Sequence, residues 1–420
     1  MSLKLAGQAA LTVGASLFAF TSGFVLKDFM DGGTPDFDRL SSVFIPQASK
    51  KPPSEVFREH YATISARYYR KTEKDQLRYA AMQGMFSSLG DPHTNFLEPV
   101  TAEQFALENE GGFVGIGARL DDDPLGTKIV TVFEGSPAER AGVLAGDVVT
   151  EVDGESVAGL PSSSIVSRIR GEEGTVVKLT VMRKGDKTVL SVRRGKVTIP
   201  TAEGKMVPDS NIGYISLTQF SETTPAQYRE VMMKLMDQGA KGLVIDVRGN
   251  PGGVLESVSE IIGGFRAGTK VVTMKGRQGS EKTQSAPAVP EFGWNGPIAV
   301  LMNGESASAA EIMAGVLQEL KGAILVGEHS YGKASVQNVF TLFDGASAKI
   351  TTAKYFLPSG RDISRKVDQD GAYLSGGLKA DIEVDLKISE DTKIGEPGKD
   401  SQLDRAIAVV KEKMGQSAGG

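Results

Sequence analysis

The sequence predicts an α/β core with a mixed, largely parallel sheet, joined to a smaller β-rich domain and an N-terminal helical region. From residue 199 onward, apolar β-runs alternate with helical stretches, which is the pattern of a parallel sheet covered by helices. Between 110 and 192, short apolar or alternating runs follow glycine-containing turns, which is typical of a β-rich domain. Between 53 and 89, apolar residues recur at helical spacing.

Composition narrows the functional class. The chain has 420 residues, a length typical of two or three domains, and its 40% hydrophobic content is ample for substantial cores. The formal net charge (47 − 52 = −5) argues against a nucleic-acid partner. The absence of cysteine excludes disulfides and a cysteine nucleophile. Without an HExxH motif or paired Cys/His clusters, we expect neither a metal nor a cofactor.

The N-terminus carries an apolar stretch from residue 5 to 26, bounded by Lys4 and Lys27 and long enough to span a bilayer. It predicts a signal peptide or a membrane anchor, and cleavage by a signal peptidase stays open. Either interpretation predicts an exported protein, periplasmic or otherwise extracytoplasmic, with anchoring to the inner membrane in the second. A buried N-terminal helix of a cytosolic protein is the third alternative.

The domain prediction follows these changes in composition along the chain. A polar, proline-bearing linker comes before the first helices. The predicted parts are the signal peptide or anchor with the start of the linker (1–32), the linker and helical region (33–98), the β-rich domain (99–197), the α/β core (198–395), and a C-terminal helix with a flexible tail (396–420).

A serine in a small-residue turn is the first candidate for catalysis. Residues 303–318 read NGESASAAEIMAGVLQ and follow the apolar run Ile298 to Met302, so we expect a strand, a turn and then a helix. The turn can hold Ser308 at the helix N-terminus, where free N–H groups favour a developing negative charge. Ser306 is the competing nucleophile, but a helix N-cap role suits it better.

A lysine follows that serine after 25 residues (333 − 308 = 25). Residues 327–337 read GEHSYGKASVQ after a second apolar strand, and Gln337 comes four residues after Lys333, on the same side of a strand or helix. Lysine acts as a general base only if burial lowers its pKa toward neutrality. A serine–lysine pair is a known variant of the serine-nucleophile arrangement.

A glycine-rich loop is the candidate oxyanion hole. Residues 243–255 read LVIDVRGNPGGVL, an apolar strand followed by a loop in which backbone N–H groups can approach a substrate carbonyl. No GK[ST] follows, which excludes a phosphate-binding P-loop. Asp246 and Arg248 end the strand and are expected to form a structural charge pair.

A Ser–His–Asp triad has little support among the three histidines. His60 lies in a charged helical stretch and is expected at the surface. His93 lies in a turn-like segment and is expected to make structural hydrogen bonds. His329 is close to Lys333 in sequence and is therefore the one histidine considered for a catalytic role.

The β-rich region carries a second motif. Residues 110–120 read EGGFVGIGARL, and GSPAERAG follows from residue 135. The region resembles a PDZ domain, and its residues Val114, Gly115, Ile116 and Gly117 match the loop that binds a C-terminal carboxylate. The resemblance implies that a peptide tail binds by adding to an edge strand.

The segments together resemble the C-terminal processing (tail-specific) peptidases, serine–lysine proteases with an inserted PDZ domain, from about residue 61 to 406. YFLPSGR at 355–361 and GLKAD at 377–381 also resemble the family, although Ala380 replaces the usual proline. The resemblance implies protein or peptide substrates with exposed apolar C-terminal tails, and a helical region that can help to form homodimers. It implies the following site: Ser308 as nucleophile, Lys333 as base, Gln337 holding the lysine amine, and an oxyanion hole from the N–H groups of Ala309 and of Gly252 or Gly253.

Two other functions remain open from the sequence. A non-catalytic or partner-activated scaffold would bind protein C-termini through the PDZ domain without turnover. An acyl-thioester hydrolase could use the same oxyanion loop, but thioesters offer no peptide C-terminus to a PDZ domain.

Overall fold

The computed structural model describes residues 51–369, 372–389 and 392–418. The predicted signal peptide or anchor lies outside these residues, as does most of the predicted linker. Among the described residues, no helix combines the length and the apolar character needed to cross a membrane.

The chain divides after Ala81 into two compact units. The first contains α1 (Pro53–Arg67) and the start of α2 (Lys74–Ser87), and α2 continues into the second. Pro53 occupies the first turn of α1, where its missing N–H would have no intrahelical partner. Helices over 53–89 agree with the predicted helical region.

The second unit opens with β1 and α3 and then forms the β-rich domain. Five strands form an antiparallel sheet in the order β3-β4-β5-β7-β8, β6 pairs with β5, and β2 pairs with β9. Buried aliphatic residues such as Ile129, Val149 and Leu179 fill its core. The elements are β1 (Asn95–Leu97), α3 (Pro99–Glu110), β2 (Gly112–Gly115), β3 (Ala118–Asp123), β4 (Gly126–Val132), α4 (Pro137–Arg140), β5 (Val148–Val152), β6 (Glu155–Ser156), α5 (Ser162–Ile169), β7 (Val176–Arg183), β8 (Asp186–Arg193) and β9 (Gly195–Thr198).

The remaining elements form the α/β core. One sheet has the order β10-β11-β12-β15-β16-β21, parallel except for the edge strand β10. A second, antiparallel sheet has the order β1-β18-β13-β14, with β17 also paired to β18. The elements are β10 (Ala202–Met206), β11 (Ile212–Leu217), α6 (Thr224–Asp237), β12 (Gly242–Asp246), α7 (Leu255–Phe265), β13 (Lys270–Gly276), a 3-10 turn (Arg277–Gly279), β14 (Glu281–Ser285), β15 (Ile298–Met302), α8 (Ala309–Lys321), β16 (Ile324–Gly327), β17 (Ser335–Thr341), β18 (Ser347–Phe356), β19 (Lys366–Val367), β20 (Tyr373–Ser375), β21 (Ile382–Glu383) and α9 (Ser401–Ala418).

Both faces of the parallel sheet are buried, which explains the unbroken apolar runs in the sequence. Leu243 and Ile245 of β12 pack into a cluster that includes residues of α6, α7 and α8. Val244, between them, points to the opposite face and packs in a cluster with α9. The predicted α/β core with a β-rich domain is therefore confirmed.

Candidate active site

Four loops meet at the carboxyl edge of the parallel sheet, because β11, β12, β15 and β16 run in the same direction. A cleft of about 850 Å³ lies there, and residues of α3 and of the antiparallel sheet also line it. All six predicted residues of the catalytic and oxyanion groups line this cleft: Ser308, Ala309, Lys333, Gln337, Gly252 and Gly253.

Ser308 lies where the loop after β15 enters α8. Its backbone is at φ 55° and ψ −114°, a left-handed conformation that is strained for a serine. The backbone N–H donates to Glu311 Oε2 at 2.9 Å. Ser308 is therefore held at the N-terminal end of α8, where the helix dipole favours negative charge.

Ser306 was expected at the helix N-cap, and that expectation is wrong, because Ser308 occupies the N-cap of α8. Ser306 is buried instead. Its hydroxyl donates to the Val247 carbonyl at 2.8 Å and accepts from the Asn303 N–H at 3.0 Å. Ser306 thus ties the serine turn to the end of β12.

Lys333 follows β16, and its main chain is fixed on both sides. Its N–H donates to Glu311 Oε2 at 2.9 Å, and its carbonyl accepts from the Tyr355 hydroxyl at 2.7 Å. Burial and the charge of Lys349 lower the pKa of the Lys333 amine, while Glu311 and Asp91 act in the opposite direction. Among the described residues, no hydrogen bond joins the lysine amine to Ser308 Oγ.

Gln337 lies on β17, just after a β-bulge between Val336 and Gln337. Its amide nitrogen donates to Ser335 Oγ at 2.8 Å and to Thr351 Oγ1 at 3.1 Å. In the described part of the chain it makes no hydrogen bond to the Lys333 amine, so its role in holding that amine stays a prediction.

The glycine loop after β12 approaches Ser308 closely. Gly252 donates its N–H to Asn250 Oδ1 at 2.9 Å, so this N–H is already in use. The N–H groups of Gly253 and Ala309 have no partner among the described residues. Of the two glycines left open by the sequence, the geometry thus favours Gly253 as the donor to an oxyanion.

Position 252 also requires glycine, because its backbone has φ 100° and lies almost in contact with the serine turn. A Cβ there would lie 2.7 Å from the Ala307 carbonyl oxygen and 2.8 Å from Ser308 Cβ. We expect Gly252→Ala to displace Ser308 and lower kcat/KM by about 100-fold. Peptide cleavage assays with thermal melting would measure both activity and folding.

Gly249→Ala is the matched control for that change. Gly249 lies in the same loop at φ 66°, but its added Cβ would have its nearest neighbour, Glu305 Oε2, at 3.7 Å. Both variants carry the strain of a positive φ, whereas only Gly252→Ala crowds Ser308. Equal activity losses in the two variants would contradict the account.

Glu311 is a site residue that the sequence analysis missed. Its buried carboxylate accepts from the N–H groups of Ser308 and Lys333 on Oε2, and from Ser330 Oγ and the Gly332 N–H on Oε1. Burial raises the pKa of Glu311, while these hydrogen bonds lower it in part. Glu311 therefore joins the main chain of the serine turn to that of the lysine loop. The Ser308-x-x-Glu311 spacing, typical of a capping box, was the sequence signal.

The histidine that lies near Lys333 is not the one that the sequence suggested. His329 is exposed and stacks on the Tyr373 ring at 4.7 Å between centroids. His93 instead lies 6.4 Å from the Tyr331 ring, and burial and the charge of Lys333 lower the pKa of His93. The histidine near the candidate base is thus His93. His60 is exposed on α1, as expected.

The predicted charge pair Asp246–Arg248 is present and forms part of a larger ion-pair network. Arg248 Nη2 lies 2.6 Å from Asp246 Oδ2 and 2.7 Å from Asp400 Oδ2, and all three side chains are almost fully buried. Burial disfavours the charge on Arg248, but the two carboxylates raise its pKa overall. The network connects the start of the glycine loop to the segment that begins α9.

The candidate carboxylate loop leads from β2 into β3. Val114 and Gly115 belong to β2 and pair with β9, whereas Ile116 and Gly117 lie between the two strands. Within the described residues, the N–H groups of Ile116 and Gly117 have no hydrogen-bond partner. The following strand, β3, is an edge strand of its sheet.

Comparisons with known proteins identify the family. Residues 211–384 match peptidase family S41, residues 128–183 match a PDZ domain, and residues 39–101 match the N-terminal domain of the activating protease CtpB. Carboxy-terminal processing protease CtpB of Bacillus subtilis (strain 168) is 32% identical over 92% of this chain and 83% of its own length. The chain belongs to the carboxy-terminal processing proteases of peptidase family S41.

Further similarities agree with this family. Carboxy-terminal processing protease CtpA of Bacillus subtilis (strain 168) is 34% identical over 78% of this chain and 74% of its own length. A solved structure from Bacteroides fragilis, assigned to the S41 proteases, has a TM-score of 0.50 and 15% identity over 82% of this chain and 91% of its own. That likeness bears on the fold alone. As a carboxy-terminal processing protease, the protein is a serine-type peptidase that carries a PDZ domain and acts on protein or peptide substrates.

Proposed function

We propose that the protein is an endopeptidase that uses Ser308 as nucleophile and Lys333 as general base. The observation that carries the proposal is their position in one cleft: a strained serine at a helix N-terminus opposite a lysine whose pKa is lowered by burial. The free N–H groups of Gly253 and Ala309 beside the serine support an oxyanion hole.

The reaction then proceeds through an acyl-enzyme. Neutral Lys333 takes the proton of Ser308 Oγ, and the oxygen forms a bond with the substrate carbonyl carbon. The N–H groups of Gly253 and Ala309 stabilise the oxyanion. The Lys333 ammonium gives its proton to the leaving amine as the C–N bond breaks. Water, deprotonated by Lys333, then attacks the acyl carbon, and the Lys333 ammonium returns the proton to Ser308 Oγ as the ester bond breaks.

The open arrangement of serine and lysine fits an enzyme without substrate. Hydrogen bonds between catalytic groups often tighten only when substrate binds. Gln337 now donates to Ser335 on its own strand and to Thr351 on β18, and it would hold the lysine amine after such tightening. The same openness would also suit an enzyme that a partner activates.

The PDZ domain is proposed to recognise the C-terminal tail of the substrate. A terminal carboxylate would receive the N–H groups of Ile116 and Gly117, with Val114 and Gly115 holding the loop in place through β9. The tail would add to the free edge of β3, and apolar tail side chains would enter between β3 and α5. Exposed apolar C-terminal tails are thus the proposed substrates.

Location and assembly are proposed from the sequence. The uncharged stretch from residue 5 to 26 supports export, with the catalytic part outside the cytoplasm and anchored if the segment is not cleaved. The five-part division proposed from composition and the homodimer implied by the family resemblance are also retained as proposals.

Tail recognition is tested with one unfolded protein that carries an apolar C-terminus, supplied with a free or an amidated terminal carboxylate. We expect the wild type to cleave the free form at least about tenfold faster at low substrate concentration, because amidation removes the charge that the loop N–H groups bind. Ser308→Ala should bind the free tail without cleaving it. Equal cleavage of both forms would contradict the proposal, and binding by the wild type without cleavage would favour a scaffold or an enzyme that awaits activation.

A further inference from the structure

A second lysine lies in the active-site cleft. Lys349 is part of β18, where it pairs with Val339 of β17 on one side and with Asn95 of β1 on the other. It lines the same cleft as Lys333 and is partly buried. Its ammonium lies 4.9 Å from the centroid of the Phe105 ring on α3. Among the residues that the structure describes, it has no carboxylate partner within ion-pair distance.

The charged groups around the Lys333 amine come from three elements. Glu311 belongs to α8, Asp91 and His93 to the segment after α2, and Lys349 to β18. The two carboxylates favour a charged lysine. Burial and Lys349 favour the neutral amine, and burial together with Lys349 outweighs the carboxylates, since the pKa of Lys333 is lowered.

Each of these carboxylates has a further structural role. Glu311 accepts four hydrogen bonds, and Asp91 accepts from the His93 N–H at 2.9 Å and from Thr94 Oγ1 at 2.7 Å. The fold therefore places negative charge near the base for structural reasons, and a positive charge in the same cleft offsets it. Lys349 is the cation that does so.

Phe105 favours the charged form of the Lys349 amine. A cation facing an aromatic ring is stabilised, by more when water is partly excluded. Lys349 has this contact. Burial lowers the pKa of Lys349, whereas Lys333 has the additional effect of the neighbouring cation. The ring contact therefore favours the ammonium form of Lys349, and that charge in turn favours the neutral form of Lys333.

We propose that Lys349 is an electrostatic positioning residue of the peptidase: its ammonium, held against Phe105 in the cleft, keeps the Lys333 amine neutral and ready to accept the serine proton. A neighbouring cation is a known means of activating a lysine. The inference rests on the proposed role of Lys333 as base. It assigns Lys349 no contact with the reacting atoms.

The first test is the pH dependence of kcat/KM for the wild type, Lys349→Met and Lys349→Arg, with a peptide that has no group titrating in the range. Activity requires neutral Lys333 and rises with pH through its pKa. Removal of the Lys349 charge raises that pKa, so the rising limb of Lys349→Met should move to higher pH. Activity at neutral pH should fall about three- to tenfold and recover in alkaline buffer. Lys349→Arg, which keeps the charge, should follow the wild type.

An unchanged rising limb in Lys349→Met would overturn the proposal. So would an effect confined to KM and to substrates with a free carboxylate, since that result would make Lys349 a substrate-binding residue. Loss of activity at every pH in Lys349→Met together with full activity in Lys349→Arg at every pH would also contradict it, because the charge would then act on something other than the protonation of Lys333.

A second measurement does not depend on cleavage. In Ser308→Ala, with and without Lys349→Met, acetylation of Lys333 by trace acetic anhydride is followed by mass spectrometry from pH 6 to 11. We expect the midpoint for Lys333 labelling to move upward when Lys349 is replaced. An unchanged midpoint would refute the role of Lys349. A wild type without peptidase activity would refute only the proposed function, and the labelling result would still stand.

Discussion

Replacing Lys333 by arginine is expected to abolish peptide cleavage as completely as replacing it by alanine. Arginine carries a positive charge on a side chain at least as long as that of lysine, but its guanidinium does not lose a proton in the accessible pH range and cannot accept one from Ser308. We expect kcat/KM to fall by about 10⁴-fold or more in both variants. Steady-state cleavage of an unfolded protein substrate measures the loss.

The arginine variant separates two roles for Lys333. If its charge served only to bind substrate, Lys333→Arg would retain much of the activity that Lys333→Ala loses. Lys379→Arg, on an exposed side chain in the same α/β core, is the matched control and should cleave like the wild type. Circular dichroism and thermal melting should show all three variants folded, because the main chain of Lys333 makes the hydrogen bonds that order its loop.

Glu311→Gln is expected to lower kcat by about 100-fold and to destabilise the protein. Each carboxylate oxygen accepts two hydrogen bonds, and an amide nitrogen in place of one oxygen cannot accept either. Two buried donors are then left unsatisfied, at about 1 to 3 kcal/mol each. The serine turn and the lysine loop lose the carboxylate that joins them. Kinetics and thermal unfolding on the same preparation give both quantities.

Glu305→Gln is the matched control for Glu311→Gln, because Glu305 lies three residues before Ser308 but is exposed. It should leave kcat and the melting temperature close to those of the wild type. A Glu311→Gln protein with unchanged kcat would show that the carboxylate is dispensable for the geometry of the site. A protein destabilised to the same extent but fully active at low temperature would limit Glu311 to a role in stability.

Most of the fold could be predicted because the strands of the core are buried on both faces. Ile212–Leu217 and Ile298–Met302 were predicted at their observed bounds, since the second run is apolar throughout and the first is interrupted only by Ser216. Ser308 and Lys333 could be proposed as site residues because their local surroundings, a strand followed by a small-residue turn or loop, are visible in the sequence, and the structure places both in one cleft. Local preference could not show which of the two serines in the turn caps α8, because both residues suit an N-cap. In the fold, Ser306 donates to the Val247 carbonyl after β12, and Ser308 occupies the N-cap.

The groups that surround Lys333 could not be predicted, because distant parts of the chain supply them. Thr94 accepts a hydrogen bond from the Thr351 N–H across 257 positions of sequence, and this contact places Asp91 and His93 beside β18. Lys349 has no motif of its own: the pairing of β17 with β18 places it opposite Val339, and only the folded chain brings it into the cleft that Lys333 also lines. The orientation of Gln337 depends on a β-bulge that the four-residue spacing does not reveal.

The most direct test of the central claim, that Ser308 is a nucleophile activated by Lys333, identifies the residue that reacts with a fluorophosphonate. The wild type, Ser308→Ala, Ser306→Ala and Lys333→Ala are each incubated with the reagent, and the modified peptide is located by mass spectrometry. We predict a single adduct on Ser308 in the wild type and in Ser306→Ala, none in Ser308→Ala, and labelling slowed by orders of magnitude in Lys333→Ala. An adduct on Ser306, or undiminished labelling without Lys333, would contradict the account.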